Sequence, residues 1–190
     1  MYYNWIAVKG RKKADVFADL DLVDTELAGD FFESPHSYIE TAKDWLVMVS
    51  PSSHFLTPDR LAKVSAGGEA MGLWLSDTAM GNGLTGYRDG VEIWALDYDC
   101  ESKPRAVTVK GLAPAEFAEV NAEAEALEAA TPEPPDYLFE VIPKTAEAIC
   151  GFWLDEWEGD MPIGLVDKWH LPKVSAPGGP GFFARLFGRR

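Results

Sequence analysis

The stretch that most constrains this chain is the run from Gly81 to Asp99, with Asp89-Gly90 at its centre. Both central residues of a type I′ turn need positive φ, which glycine takes freely and aspartate tolerates. The run therefore reads as a two-residue hairpin. Arg88 is expected to face Val91, Gly86 to face Ile93, Thr85 to face Trp94, and Gly83 to face Leu96. Side chains alternate between the faces of a strand. Val91, Ile93, Ala95, Asp97 and Asp99 are expected on one face, and Glu92, Trp94, Leu96 and Tyr98 on the other. Two largely apolar faces imply a central strand covered on both sides, with Asp97 and Asp99 emerging at its end.

The same run contains Gly81-Asn82-Gly83-Leu84-Thr85-Gly86, which fits G-x-G-x-x-G. In a dinucleotide site such glycines follow a strand and open a helix whose N-terminus holds the pyrophosphate. Here they lead into a strand. A kinase glycine loop does lie on a hairpin, but it needs a following lysine strand and H-R-D and D-F-G elements, and the sequence has none of these. The glycines read instead as relief of crowding around Trp94.

Taken in order, Tyr3 to Val8 reads as a strand and Lys12 to Leu20 as a short helix, with Val16, Phe17 and Leu20 at helical spacing. Leu22 to Leu27 is a second strand and Glu33 to His36 a loop. Tyr38 to Thr41 and Trp45 to Val49 are strands around a Lys43-Asp44 turn. Ser50 to His54 is a loop. Thr57-Pro58-Asp59 opens a helix, with threonine at the cap and proline at the first helical position. Gly67-Gly68 closes it, and Glu69 to Leu75 leads into the hairpin. Arg105 to Lys110 is the next strand. Pro114 opens the longest helix, to about Ala129, with Phe117, Val120, Ala124 and Leu127 as its buried stripe. Tyr137 to Ile142 reads as extended, Pro143 as a helix start, Gly151 as its end, and Gly164 to His170 as a last strand. The expected fold class is α+β, a mainly antiparallel sheet with three to four helices packed on it and a flexible C-terminal tail.

Residues 1–174 are read as one domain, since 190 residues suit a single core. Residues 175–181 form a linker by composition. Residues 182–190, Phe-Phe-Ala-Arg-Leu-Phe-Gly-Arg-Arg, form an amphipathic basic tail, with Phe183 and Phe187 as docking candidates. Nine residues are too few for a stable isolated helix, which needs on the order of 12–15, so the tail is expected to fold only on docking.

The net charge is −14. Acidity of this size opposes nonspecific nucleic-acid binding, which needs Lys and Arg to displace counterions; it suits a basic partner. No run is long enough to span a bilayer, and no secretory h-region opens the chain. A membrane contact is expected, if anywhere, through the tail alone. Cys100 and Cys150 form no C-x-x-C motif and read as reduced thiols of a cytoplasmic protein.

Three groups carry candidate chemistry. Asp97 and Asp99 are two apart on one face, a pair that could hold a hard cation such as Mg²⁺ or do acid–base work. His36, His54 and His170 sit in no zinc or hydrolase motif, and they read as exposed or hydrogen-bonded. Glu116, Glu119 and Glu123, with Glu125 and Glu128, project from the long helix, and no Lys or Arg occurs between Lys110 and Lys144. That is an acidic face, either simply solvated or receiving a basic surface. Trp153 and Trp157, set among Asp155, Glu156 and Glu158, would be its aromatic anchors.

Residues from about Trp5 to Asp155 resemble a family of uncharacterised bacterial proteins. The resemblance rests on Trp5-Ile6-Ala7-Val8-Lys9-Gly10 and on Arg88-Asp89-Gly90-x-x-x-Trp94-x-x-x-x-Asp99. It continues through Gly111-Leu112-x-Pro114 and Asp136-Tyr137-x-Phe139-x-x-x-Pro143 to Gly151-Phe152. The family commonly has His-Asp where this chain has Tyr98-Asp99. The resemblance implies a compact bacterial α+β fold and carries nothing about mechanism, since no activity is established for the family. The expectation is a non-enzymatic acidic protein-binding module, immunity-like toward a basic partner and needing no cofactor. The alternatives are a small metal-dependent enzyme using Asp97 and Asp99, and an adaptor recruited through its tail.

Overall fold

A computed structural model describes residues 2–102, 105–131 and 135–170. The linker and basic tail expected at 175–190, with Phe183 and Phe187, lie outside the described residues. The described residues are α+β, with one antiparallel nine-stranded sheet and four α-helices.

The strands are β1 (Tyr2–Lys9), β2 (Leu22–Ala28), β3 (His36–Glu40), β4 (Leu46–Ser50), β5 (Glu69–Ser76), β6 (Gly81–Arg88), β7 (Val91–Asp99), β8 (Thr108–Gly111) and β9 (Ile163–Asp167). They lie side by side in the order β2-β9-β3-β4-β1-β5-β6-β7-β8. The N-terminal strand is thus the centre of the sheet, paired with β4 on one side and β5 on the other. Its residues Tyr3 to Val8 are all buried, because a strand with neighbours on both edges and helices on both faces has no wet side.

The helices divide between the faces. α1 (Lys13–Asp19) and α2 (Pro58–Val64) cover one; α3 (Ala115–Ala130) and α4 (Val141–Cys150) cover the other. Odd residues of β1, such as Trp5, join a core with Leu73, Leu84, Leu96, Ile142 and Phe152. Even residues, such as Ile6, join a second core with Phe17, Met48, Leu61 and Tyr87. α2 starts where the sequence places it: the Thr57 side chain accepts a hydrogen bond from the Arg60 amide, with Pro58 as the first helical residue.

Two elements depart from the sequence reading. Tyr137 to Ile142 is not extended: a 3₁₀ turn, Tyr137–Glu140, runs straight into α4. Asp136 caps this turn by accepting from the Phe139 amide. Pro143 sits within the first turn of α4, where a missing N–H removes no intrahelical bond, so the helix begins upstream of it. At the C-terminal side, β9 ends at Asp167 and Lys168–His170 form a 3₁₀ turn.

The hairpin forms around Asp89-Gly90, with φ of 49° and 82°, and Arg88 faces Val91 as expected. Beyond that the register is corrected by one residue. Tyr87 faces Glu92, but Gly86 faces Trp94, Thr85 faces Ala95 and Gly83 faces Asp97. Ile93 is the additional residue of a β-bulge in β7. Its effect is to turn Glu92 away from Trp94. Glu92 accepts from the Tyr87 hydroxyl at 3.4 Å on the α2 face, while Trp94 packs into the α3/α4 core.

The glycines of β6 act on both faces. A Cβ on Gly86 would lie 2.2 Å from the Trp94 ring, as the sequence led us to expect. A Cβ on Gly83 would lie 2.4 Å from Nε1 of a different tryptophan, Trp74 of β5, on the opposite face. Gly86→Ala is expected to cost about 1–3 kcal/mol by overpacking against buried Trp94. Gly83→Ala is expected to cost less, because half-buried Trp74 can turn outward. Urea unfolding of the two variants measures this difference.

Candidate functional site

The sheet face under α1 and α2 is covered unevenly. α2 and the residues just before it approach β5 closely: a Cβ on Gly72 would lie 2.2 Å from Leu56 and 3.2 Å from Leu61. Further along, Asp97 of β7 and Thr108 and Lys110 of β8 are exposed. Between the start of α2 and this open strip lies a concavity of 260 Å³, lined by Tyr2, Leu56, Trp74, Thr85, Tyr87 and Glu92 among others. Its shape follows from the glycines. With no side chain at Gly81 and Gly83, the Trp74 indole lies across the β6 backbone, and its Nε1 edge is directed to the side where Asp97 also stands over Gly83.

Glu92 is the carboxylate of this concavity. It accepts from Lys110 Nζ at 2.6 Å as well as from Tyr87. The Lys110 side chain is 75% exposed, against 31% for Glu92, so the lysine covers a carboxylate more sheltered than itself. The Lys110 ammonium is raised above its ordinary range by this hydrogen bond.

Asp97 and Asp99 lie on the same face, as the alternation requires, and both are exposed. Asp99 accepts from the Glu101 amide at 2.9 Å. The Asp97 carboxyl is raised above the usual carboxylate range, first by burial against the sheet and then by the Asp99 charge. Among the described residues, no three of His, Cys, Asp and Glu are grouped to hold a metal ion.

The acidic helix is set off from the sheet. α3 rests chiefly on α4 and on the Tyr137–Glu140 turn, and Ala124 is its one fully buried residue. Phe117 and Val120 are half-buried, and Leu127 is 46% exposed. Glu119, Glu123 and Glu125 are exposed and Glu116 is half-buried at the first turn. Glu128 is tied inward, accepting from the Tyr137 amide and pairing with Arg105 at 3.2 Å. Arg105 also approaches Asp136 at 3.7 Å, and Asp136 accepts from the Tyr98 hydroxyl at 2.7 Å. Burial, then that hydrogen bond, raises the Tyr98 phenol well above its ordinary range. Tyr98 thus anchors the α3/α4 layer to the sheet.

Trp153 and Trp157 are both half-buried. The Trp157 ring lies 5.6 Å from Phe152, and its Nε1 donates to the Asp160 carbonyl. Phe152 in turn meets Trp5 edge-on at 6.1 Å. These contacts make Trp157 part of the packing around the first core. The structure does not bring Trp153 and Trp157 together with Asp97 and Asp99, which stand on the other face of the sheet.

A polar row crosses the α1/α2 face that the sequence did not reveal. His36, Ser50, Asn4 and Trp74 are consecutive cross-strand neighbours on β3, β4, β1 and β5. His36 Nδ1 lies 2.9 Å from Ser50 Oγ, and Nε2 lies 3.4 Å from Asp167 Oδ2. The imidazole stacks on Phe55 at 4.7 Å. The grouping has the residue types of a hydrolytic triad, but a nucleophile must meet its substrate. Ser50 is fully buried and its hydroxyl already accepts from the Ser52 amide. The row serves to join β9, β3 and β4 beneath the Phe55 loop. His54 is exposed.

Folding disfavours the charged form of Asp97 relative to the unfolded chain. That penalty is present above the raised pKa and disappears as pH falls below the ordinary carboxylate value. Asp97→Asn is therefore expected to stabilise the protein at neutral pH by a few tenths of a kcal/mol, about the size of exposed charge effects. The gain should close as pH falls through the carboxylate range, read by thermal melts across pH. No protein-family model matches the chain, and no curated protein and no solved structure does so either.

Proposed function

We propose that this chain is a non-enzymatic protein-binding module of the bacterial cytoplasm whose partner is basic, in the manner of an immunity protein that neutralises a basic toxin. The observation that supports this reading is α3. It presents Glu119, Glu123 and Glu125 to solvent, and the helix contains no basic residue. Like charges at i,i+4, such as Glu119 and Glu123, destabilise a helix by a few tenths of a kcal/mol. A basic surface laid along this side relieves that repulsion and is drawn in by the acidic body's field.

The metal-dependent enzyme reading rests on Asp97 and Asp99, whose mutual repulsion a bound cation would relieve. Calorimetry with Mg²⁺, Mn²⁺ and Ca²⁺ separates it from the first. A binding heat that Asp97→Asn and Asp99→Asn both abolish favours the enzyme reading, and no heat removes it.

The binding reading is tested by affinity capture from native bacterial lysate with the full chain as bait. Wild type is expected to retain a basic protein that rising salt elutes. Glu119→Lys/Glu123→Lys is expected to retain it roughly tenfold less well. Equal retention by the charge-reversed bait, insensitive to salt, would contradict the reading.

A further inference from the structure

We propose that the concavity beside α2 receives an arginine side chain of the basic partner, its guanidinium resting on Trp74 and its fork on Glu92. The inference deepens the protein-binding reading and rests on it for the identity of the ligand's carrier.

The wall chemistry selects the ligand. Tyr2, Trp74 and Tyr87 line the concavity, and Glu92 is a carboxylate within it. An aromatic face beside a carboxylate rejects phosphate and accepts a cation, since the ring quadrupole and the carboxylate attract the same charge. One face of the Trp74 indole is held against the backbone of β6 by the absence of side chains at Gly81 and Gly83. The half-buried ring lines the concavity with its remaining surface. The ring offers a flat surface there, which suits a flat cation.

The site is already cation-paired within the chain. Lys110 Nζ meets Glu92 Oε1 at 2.6 Å from β8. Ammonium is a point charge and engages one oxygen, leaving Oε2 to the long 3.4 Å contact with Tyr87. Guanidinium presents a planar fork that matches both carboxylate oxygens and stacks on indole. Lys110, largely exposed, can swing away at little cost. Asp97 and Asp99 continue the negative field along the same face toward β8.

The test uses N-acetyl-arginine methylamide as the probe, with the neutral isostere N-acetyl-citrulline methylamide as control. A single side chain binds weakly, so both are titrated at millimolar concentration against the full chain. Two-dimensional NMR follows the Trp74 indole N–H, assigned through Trp74→Phe, and the amides of Thr85 and Glu92. The arginine probe is expected to shift these resonances saturably and the citrulline probe to leave them unmoved. Glu92→Gln is expected to weaken binding roughly tenfold, the loss of one charge-assisted pair. Lys110→Ala removes the competing cation from an exposed site, so it is expected to tighten binding, and it carries the test if Glu92→Gln fails to fold. Absent shifts, equal shifts with citrulline, or no change in Lys110→Ala would overturn the proposal. Lysate capture that depends on α3 while the probe moves nothing would leave the protein-binding reading intact and remove this pocket. Probe binding without any captured protein would do the reverse.

Discussion

One unpaired residue, Ile93, decides which side of the sheet each neighbouring residue of β7 occupies. Side chains on a strand alternate strictly, so a one-residue slip exchanges the two faces. Without the bulge, Glu92 and Trp94 would point the same way, and a carboxylate would enter the α3/α4 core at a cost of several kcal/mol. With it, Trp94 seats on Gly86 inside that core, while Glu92 turns to Tyr87 and Lys110 on the α2 face. The bulge sorts one apolar anchor and one charged group to opposite sides within three residues.

The two faces then differ in how completely they are closed. On one, α4 buries Val141, Ile142, Ala146 and Cys150 against the sheet, and burial pushes the Cys150 thiol up to about 12. The Tyr98–Asp136–Arg105–Glu128 chain of contacts fastens α3 above it. On the other, two seven-residue helices must serve nine strands. Their cover runs out over β6, and Trp74, Glu92, Asp97 and Lys110 stand where it ends. The sheet stays open there because the helices are too short to close it.

The sequence made the local features plain. Asp89-Gly90 favours a tight turn, and Thr57-Pro58-Asp59 brings together the cap, the proline and the acid of a helix start. These signals reside within a few residues of the element they specify. The bulge escaped because nothing in Val91-Glu92-Ile93-Trp94 marks Ile93 as unpaired; the choice belongs to the packing of Trp94 against β6. For the same reason the G-x-G-x-x-G run, read from sequence, points only to Trp94. Two of its glycines in fact make room for Trp74, which comes from the neighbouring strand β5. The row of Asp167, His36, Ser50 and Asn4 joins residues from both ends of the chain through sheet order alone. No spacing rule in one sequence could show it. Composition likewise does not show that Trp157, one of the two candidate anchors, packs against Phe152.

What unites the account is the proposal of an acidic body that engages another protein along α3 and across the open end of its sheet. Amide hydrogen exchange of the full chain, alone and with the captured partner, addresses this most directly. The account predicts slowed exchange along α3 and in β6–β7 around Thr85 and Glu92. Unchanged exchange at both places, or protection confined to the far edge at β2, would contradict it.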